Sequence, residues 1–245
     1  MNKKFKILEW DSNFFDFSVA EIKNNILTNS NYLKILDDLY AENIQLAYYS
    51  SKIPFEEQID NLLYDFFPIF KRIPIIKQLN KASKVHEKIS LYTEDFPEGD
   101  LIKLAQLAGK QGRFGKDQNI SESKCDELYK IWIINSVNKK IADEVYVYRE
   151  EDKIVGFCTI KIVNGIGYAP LLAVDRSFEG QGVSFALMRA CETRLIEYGC
   201  EFVLSDTQEL NKKALATFSK YGLEPQTPEY VYHLWRKKQI NEEQN

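Results

Sequence analysis

Apolar residues along this chain follow two rhythms, and the change from one to the other organises the C-terminal half. Val145-Tyr146-Val147-Tyr148 is a run of strand formers, a charged turn at Glu150-Glu151-Asp152-Lys153 follows, and Ile154 to Val163 resumes the strand pattern. Asn164-Gly165 then separates two apolar runs, which suits a type I′ hairpin because both central residues need positive φ. Ile166 to Val174 is the expected returning strand. From Val183 the spacing turns helical through Ala186, Leu187, Ala190, Cys191, Leu195 and Tyr198, with Gly199 as its stop. Phe202-Val203-Leu204 reads as a short buried strand, Asn211 opens a second helix that ends at Tyr221-Gly222, and Tyr230 to Trp235 reads as a closing strand. The order is β-β-β-α-β-α-β.

The N-terminal half is less regular. Tyr32 to Asn43 has helical character, Gln45 to Ser50 reads as a strand, and Phe66-Phe67-Pro68 with Pro74 breaks the pattern. Leu101, Leu104, Ala105 and Ala108 predict a helix over Asp100 to Lys110 that stops at Gly112. Ser123 and Asp126 stand at capping-box spacing ahead of a helix marked by Leu128, Ile131, Trp132 and Asn135. The expected division is an N-terminal α/β domain over 1–88, a second domain over 89–236 and a polar tail over 237–245.

Composition narrows the class. With 44% hydrophobic and 28% charged residues in 245, the chain reads as folded and globular rather than disordered. Lys3 and Lys4 are followed by Glu9 and Asp11 before any signal-like apolar run develops, and no stretch nears the roughly 18 apolar residues of a spanning helix, so the expectation is a cytoplasmic protein with no membrane role. Cys125, Cys158, Cys191 and Cys200 lack the close pairs of a zinc site and are expected to be reduced and packed; no metal is implied. A net charge of −4 gives the whole protein no electrostatic reason to bind nucleic acid.

The chemistry concentrates in Leu171-Leu172-Ala173-Val174-Asp175-Arg176-Ser177-Phe178-Glu179-Gly180-Gln181-Gly182-Val183-Ser184, a strand, a glycine-containing turn and a helix start in succession. Glycines allow a ligand close to the backbone, and the free N–H groups and positive dipole end of the helix attract an anion such as a pyrophosphate. Tight packing of the turn would also account for the glycines. Pro170 cannot donate to a sheet ladder, so the strand is expected to part from a neighbour there. The backbone groups so released could pair with a pantetheine-like ligand, and one amide could polarise a thioester carbonyl.

This order of elements and this turn resemble the Gcn5-related N-acetyltransferase superfamily. Its acyl-CoA signature, Gln/Arg-x-x-Gly-x-Gly/Ala, falls on Glu179, Gly182 and Ser184, with departures at Glu179 and Ser184. A further resemblance takes in Leu8-Glu9-Trp10-Asp11-Ser12-Asn13-Phe14-Phe15, Arg113-Phe114, Tyr129, Trp132-Ile133, Leu171 to Val174, and Asp206-Thr207-Gln208 through Asn211 and Ala214. These are similar to the dTDP-fucosamine acetyltransferase type of sugar-nucleotide N-acyltransferase. The resemblance implies an α/β protein with a mixed, largely antiparallel sheet and a smaller α/β N-terminal domain. It implies transfer of an acyl group, expected to be acetyl, from acyl-CoA to the amine of a dTDP-linked dideoxy-amino sugar, in the synthesis of surface-polysaccharide precursors such as those of lipopolysaccharide. The partner is then a small nucleotide-sugar, and a homodimer is left open.

By the same resemblance, Leu172, Ala173, Val174, Gly180, Gln181, Gly182, Val183, Ser184, Asn211 and Phe218 would meet the acyl-CoA, and Leu172, Asp206 and Tyr221 are the candidates for chemistry. Arg113, Phe114, Tyr129, Trp132 and His233 would face the acceptor. The family places a thiolate-protonating Tyr seven residues after an Asn, and counting from Asn211 lands on Phe218, which has no proton to give. Tyr221, about one turn on, could substitute, or the thiolate could leave unprotonated. Each side chain also has a structural reading: Asp206 as a turn cap, His233 as a strand residue, Tyr129 and Trp132 as core, Arg113 as a loop charge. Two rival functions stay open, acylation of another amine (a peptide, a lysine, an antibiotic) and a CoA-binding module without turnover.

Overall fold

The computed structural model describes residues 4–23, 27–28, 31–55 and 63–238. In chain order the elements are β1 (Phe5–Ile7), α1 (Glu9–Phe15), β2 (Val19–Ile22), α2 (Tyr32–Ala41), β3 (Leu46–Ser51), β4 (Tyr64–Gln78), β5 (Ile89–Leu91), α3 (Gly99–Gly109), α4 (Arg113–Lys116) and α5 (Glu122–Val137). They continue with β6 (Glu144–Glu150), β7 (Lys153–Val163), β8 (Ile166–Tyr168), β9 (Leu172–Val174), α6 (Val183–Glu197), β10 (Phe202–Gln208), α7 (Lys212–Tyr221), β11 (Glu224–Pro225) and β12 (Glu229–Arg236).

Two compact units result, Met1–Arg72 with Pro228–Asn245, and Ile73–Thr227. The expected 1–88 and 89–236 division drew these lines elsewhere. Closing strand β12 belongs to the smaller unit because it pairs antiparallel with β3 from Tyr230 opposite Ser51 to Trp235 opposite Leu46. Of the expected polar tail, Lys237 and Lys238 are described and 239–245 lie outside the described residues.

The smaller unit is α/β: β1 pairs antiparallel with β2, β2 parallel with β3, and β12 lies between β3 and β4. Its core joins Ile35, Leu36 and Leu39 of α2 to Ala47 and Tyr49 of β3 and Leu234 of β12. Here the sequence reading needs correction at Pro68. Rather than breaking the pattern, Pro68 lies within a 15-residue strand, opposite Tyr232 where the register shifts between Val231 and Tyr232. A bulge is where a residue without an N–H costs a ladder least.

In the larger unit, β4 (from Ile73), β10, β8, β7, β6 and β5 follow one another in the sheet, with β11 beside β4 and β9 beside β7. The meander β6–β7–β8 is antiparallel as expected, and its tight turn has Asn164 at φ 52° and Gly165 at φ 77°, the two positive values of a type I′ turn. Helix α6 packs Val183, Leu187, Ala190, Cys191 and Leu195 against Val155, Cys158 and Ile160 of β7. Gly156 permits that approach, since a Cβ there would lie 2.9 Å from Val183 Cγ1. Leu187 and Leu195 are wholly buried, each contributing about 1.5–3 kcal/mol. The Sγ atoms of Cys158 and Cys191 adjoin in this layer, which departs from the expectation of four separate thiols, with Cα atoms 7.4 Å apart against roughly 4.4–6.8 Å in a usual disulfide. Helix α5 is capped by Ser121, whose side chain accepts from Lys124 N–H at 3.2 Å, not by Ser123.

Candidate active site

The sheet opens at Pro170. β8 is paired on both sides, antiparallel with β7 and parallel with β10, where Val203 stands opposite Gly167 and Leu204 opposite Tyr168. The last rung is Ala169 N–H donating to the Leu204 carbonyl at 2.9 Å, backed by the Ser205 hydroxyl donating to the Ala169 carbonyl at 2.7 Å. Pro170, which has no N–H, follows, and beyond it the parallel pairing with β10 ends. The expected single strand over Ile166 to Val174 is thus two, and among the described residues β9 pairs with β7 alone.

Which groups this releases follows from the ladder. Thr159 N–H donates to the Leu171 carbonyl at 2.9 Å and Asp175 N–H to the Val155 carbonyl at 2.8 Å. Residues 171, 173 and 175 therefore face β7, and by strand alternation Leu172 and Val174 direct their N–H and C=O groups to the other edge. β10 runs on to Gln208 without β9 beside it.

β9 leads into a short 3₁₀ turn, Arg176–Phe178, capped by Asp175, which accepts from Ser177 N–H at 2.9 Å and is ion-paired to Lys153 at 2.8 Å. Gly180 and Gly182 follow at φ 75° and 87°, values that L side chains rarely adopt, and a Cβ on either would meet open space. Gln181 folds back, its Nε2 donating to the Ser177 carbonyl at 2.9 Å. The first helical bond of α6 is Ala186 N–H to the Gly182 carbonyl at 3.0 Å, so the N–H groups of Val183, Ser184 and Phe185 precede the ladder at its positive end. Glu179 Oε2 is ion-paired to Lys213 Nζ of α7 at 2.7 Å.

On the other side, Asn211 is the N-cap of α7, accepting from Ala214 N–H at 3.2 Å. Leu172 and Phe218 meet in one apolar cluster around Ile73, Ile75, Met188 and Leu223. Tyr221 is committed elsewhere: its hydroxyl donates to Glu192 Oε2 at 2.8 Å, Lys77 Nζ lies 4.1 Å over its ring, and Lys77 is also paired with Glu192 at 2.6 Å. Burial, reinforced by the Glu192 hydrogen bond, pushes the Tyr221 hydroxyl well above the usual phenol range, which makes it a weaker acid.

A second group of residues gathers at α4 and α5. Tyr129 is buried, its ring so close to α3 that a Cβ on Gly109 would lie 2.5 Å from Cδ2. Trp132 lies 4.9 Å from the Tyr129 ring and 6.0 Å from that of Phe114. Phe114 is buried, and the Arg113 guanidinium lies 4.7 Å from its ring centre. Burial drives the Tyr129 hydroxyl upward, with Cys125 adding to the rise, Arg113 opposing it and Asp206 of β10 reinforcing it. Arg113, Tyr129 and Asp206 therefore share one electrostatic neighbourhood. His233 lies in the smaller unit, fully buried, its ring 4.9 Å from that of Tyr48.

Residues 113–223 match the model of the acetyltransferase (GNAT) family. This part of the chain is similar to a GNAT acetyltransferase domain. Over 139 residues it is 22% identical to the spore coat polysaccharide biosynthesis protein SpsD of Bacillus subtilis, an alignment that takes in 57% of this chain and 48% of that one, so the chain spans about half the length of the curated relative it matches. Among solved structures, a conserved protein of unknown function from Staphylococcus epidermidis superposes with a TM-score of 0.63 at 13% identity, covering 97% of this chain and 93% of that one. A GCN5-related N-acetyltransferase from Sphaerobacter thermophilus gives 0.53 at 15% identity, covering 95% and 76%. At such identities the structures establish the fold alone.

The GNAT match contains the open edge, the glycine turn, α7 and the Arg113–Trp132 group, and it stops before His233. The family draws its acyl groups from acyl-CoA, and the residues present fit such a ligand: an unpaired strand edge for an amide-bearing arm, then unobstructed glycines and a helix N-terminus for its phosphates. One residue at this turn escaped the sequence reading. Lys213 is 34 positions from Glu179, and only the carboxylate at Glu179, where the family prefers a neutral or cationic side chain, could have prompted a search for a compensating cation.

Proposed function

We propose that this protein is a cytoplasmic acyl-CoA-dependent N-acyltransferase whose acceptor is the amine of a dTDP-linked dideoxy-amino sugar, a precursor of surface polysaccharide. The observation that carries the reading is the unpaired edge of β9 leading directly into the open glycine turn at the start of α6. The acceptor class rests on the sequence resemblance described above and is supported by the likeness to a polysaccharide biosynthesis protein.

When bound, acyl-CoA supplies an activated thioester. The Leu172 N–H, free of the ladder, is placed to polarise the carbonyl where negative charge develops. Val174 continues the edge past Ala173, whose own polar groups face β7, and the amides of Gly180 and of Gly182 to Ser184 receive the phosphates. Asp206, exposed at the end of β10, accepts the proton of the attacking amine, directly or through water. Arg113 meets the acceptor's diphosphate from α4. Asn211 holds α7 in place, and Phe218 lines the sulfur end without offering a proton; a thiol of pKa about 8.5 leaves as thiolate near neutral pH.

The test is a panel of amines offered with radiolabelled acetyl-CoA: dTDP-amino sugars, peptides, lysine and aminoglycosides. Label in the nucleotide-sugar product supports the reading, and label only in another acceptor overturns its finer half. In the same assay Arg113→Ala is expected to raise KM for the nucleotide-sugar about tenfold with little change for acetyl-CoA; equal changes in both overturn the role given to Arg113. Phe218 favours one alternative, a CoA-binding module, which tight CoA binding with no turnover on any amine would establish.

A further inference from the structure

Glu179 poses a problem for the function just proposed. It puts a carboxylate within the turn expected to hold a diphosphate, where two like charges a few Å apart repel. The structure contains a partner for it. Lys213, in the first turn of α7, reaches across to Glu179 with Nζ–Oε2 at 2.7 Å, although its side chain is 85% exposed and that of Glu179 42%. An ion pair this exposed contributes little to stability, and either charge is readily exchanged for a better partner. A diphosphate is such a partner for an ammonium: it carries more charge than a carboxylate, and charge-assisted hydrogen bonds to phosphate oxygens are among the strong ones.

We infer that Lys213 is a positioning residue for the acyl donor, held by Glu179 when the turn is empty and transferred to the donor's diphosphate when it is filled. The inference rests on the acyl-CoA reading of this turn. Lys213 supplies a positive side chain from α7 at a turn where the family signature has Gln or Arg in the position of Glu179. Glu179 keeps the ammonium at the turn and competes with the ligand for it. The open space over Gly180 and Gly182 leaves the exchange unobstructed. The neighbouring cation Lys153 is taken by Asp175 at 2.8 Å, whereas Lys213 is paired across the turn with Glu179.

Competition and simple neutralisation predict different double-mutant cycles. Calorimetric binding of CoA to the full chain is measured for wild type, Lys213→Met, Glu179→Gln and the double variant. Lys213→Met is expected to weaken CoA binding about tenfold, and Glu179→Gln to tighten it about threefold. Lys213→Met must also weaken binding in the Glu179→Gln background; no effect there would mean that Lys213 merely neutralises Glu179 and would overturn the inference. Dephospho-CoA, which keeps the diphosphate and lacks the 3′-phosphate, should show the same loss, and an effect confined to CoA would overturn the assignment to the diphosphate. S-acetylpantetheine, without phosphates, should bind all four proteins alike, and a loss there would point to a disturbed fold and count against the inference. Failure of wild type to bind CoA at all is a separate outcome, which overturns the acyl-CoA reading itself.

Discussion

Tyr221→Phe separates a catalytic from a structural hydroxyl, because the two roles predict opposite signatures. The hydroxyl donates to Glu192 at 2.8 Å, and burial with that hydrogen bond has already raised its pKa. A hydrogen bond to a charged group contributes about 1.5–3 kcal/mol. Glu192 keeps Lys77 at 2.6 Å after the substitution, and the ring keeps Phe185 at 5.3 Å, so no charge is stranded and the loss falls at the lower end, about 1.5 kcal/mol. For a chain of this length that corresponds to a fall in Tm of about 3–6 °C. kcat should stay within about twofold, since removal of a true general acid typically costs a hundredfold or more. Thermal melts and steady-state acetyl transfer on the same preparation decide the matter. A hundredfold drop in kcat with Tm and CoA affinity unchanged would refute the reasoning and make Tyr221 the displaced acid. Phe218→Tyr complements it: a hydroxyl added in the cluster that also holds Leu172 should leave kcat intact or raise it.

Two further perturbations probe the frame of the site. Gly182→Asp, at φ 87°, adds backbone strain of about 1–2 kcal/mol and a negative charge against the helix dipole; CoA affinity is expected to fall more than tenfold, beyond the loss in a Gly182→Ala control, and unchanged calorimetric binding in a folded variant would dismiss the glycine turn as the phosphate site. Glu144 tests pH dependence. Burial opposes its charge, but hydrogen bonds from Arg194, Tyr146 and Tyr198 outweigh that and hold its carboxyl below the usual range. Because the native pKa lies below the unfolded one, protonation favours the unfolded chain, so the stabilisation is fully present above about pH 4.5 and disappears as pH falls through the lowered value. Glu144→Gln should lower stability at pH 7, and the gap between the melts of the two proteins should narrow as pH falls below about 4.5; a gap independent of pH would contradict the assignment.

The sequence made the larger unit legible and the smaller one much less so, for a physical reason. β6, β7, α6 and α7 are long enough to show their periods, and Asn164-Gly165, Gly199 and Gly222 mark the ends of β7, α6 and α7 with residues suited to positive φ. Pro170 also gave the position of the break between β8 and β9, because a missing N–H is a property of the residue and not of its surroundings. By contrast β1 has three residues and β2 four, too few to show a period, and the path of β4 through Pro68 depends on a bulge set by its partner β12, far along the chain. At the site, backbone features could be read and side-chain pairings could not. That Tyr221 belongs to Glu192, and Glu179 to Lys213, are facts of packing between elements, for which a single sequence carries no local signal.

That division also bears on how the site tolerates its departures from the family pattern. Glu179, Ser184 and Phe218 all differ from the expected residues, yet each differs in a side chain while the main chain around it keeps the geometry the chemistry needs. The amides at Leu172 and Val174 face away from β7, the proposed phosphate cradle would use main-chain N–H groups of the glycine turn and the start of α6, and the dipole belongs to α6 as a whole. A side chain at the signature position adds charge to a cradle that already exists, so its replacement by Glu179 can be offset by a cation from another helix. Loss of the acid at Phe218 is likewise bounded, because the leaving thiolate is stable enough near neutral pH to depart without one. On this reading the backbone is the part that cannot be substituted: Gly182 keeps the signature residue, and Pro170 and Gly180 shape the main chain on either side of it.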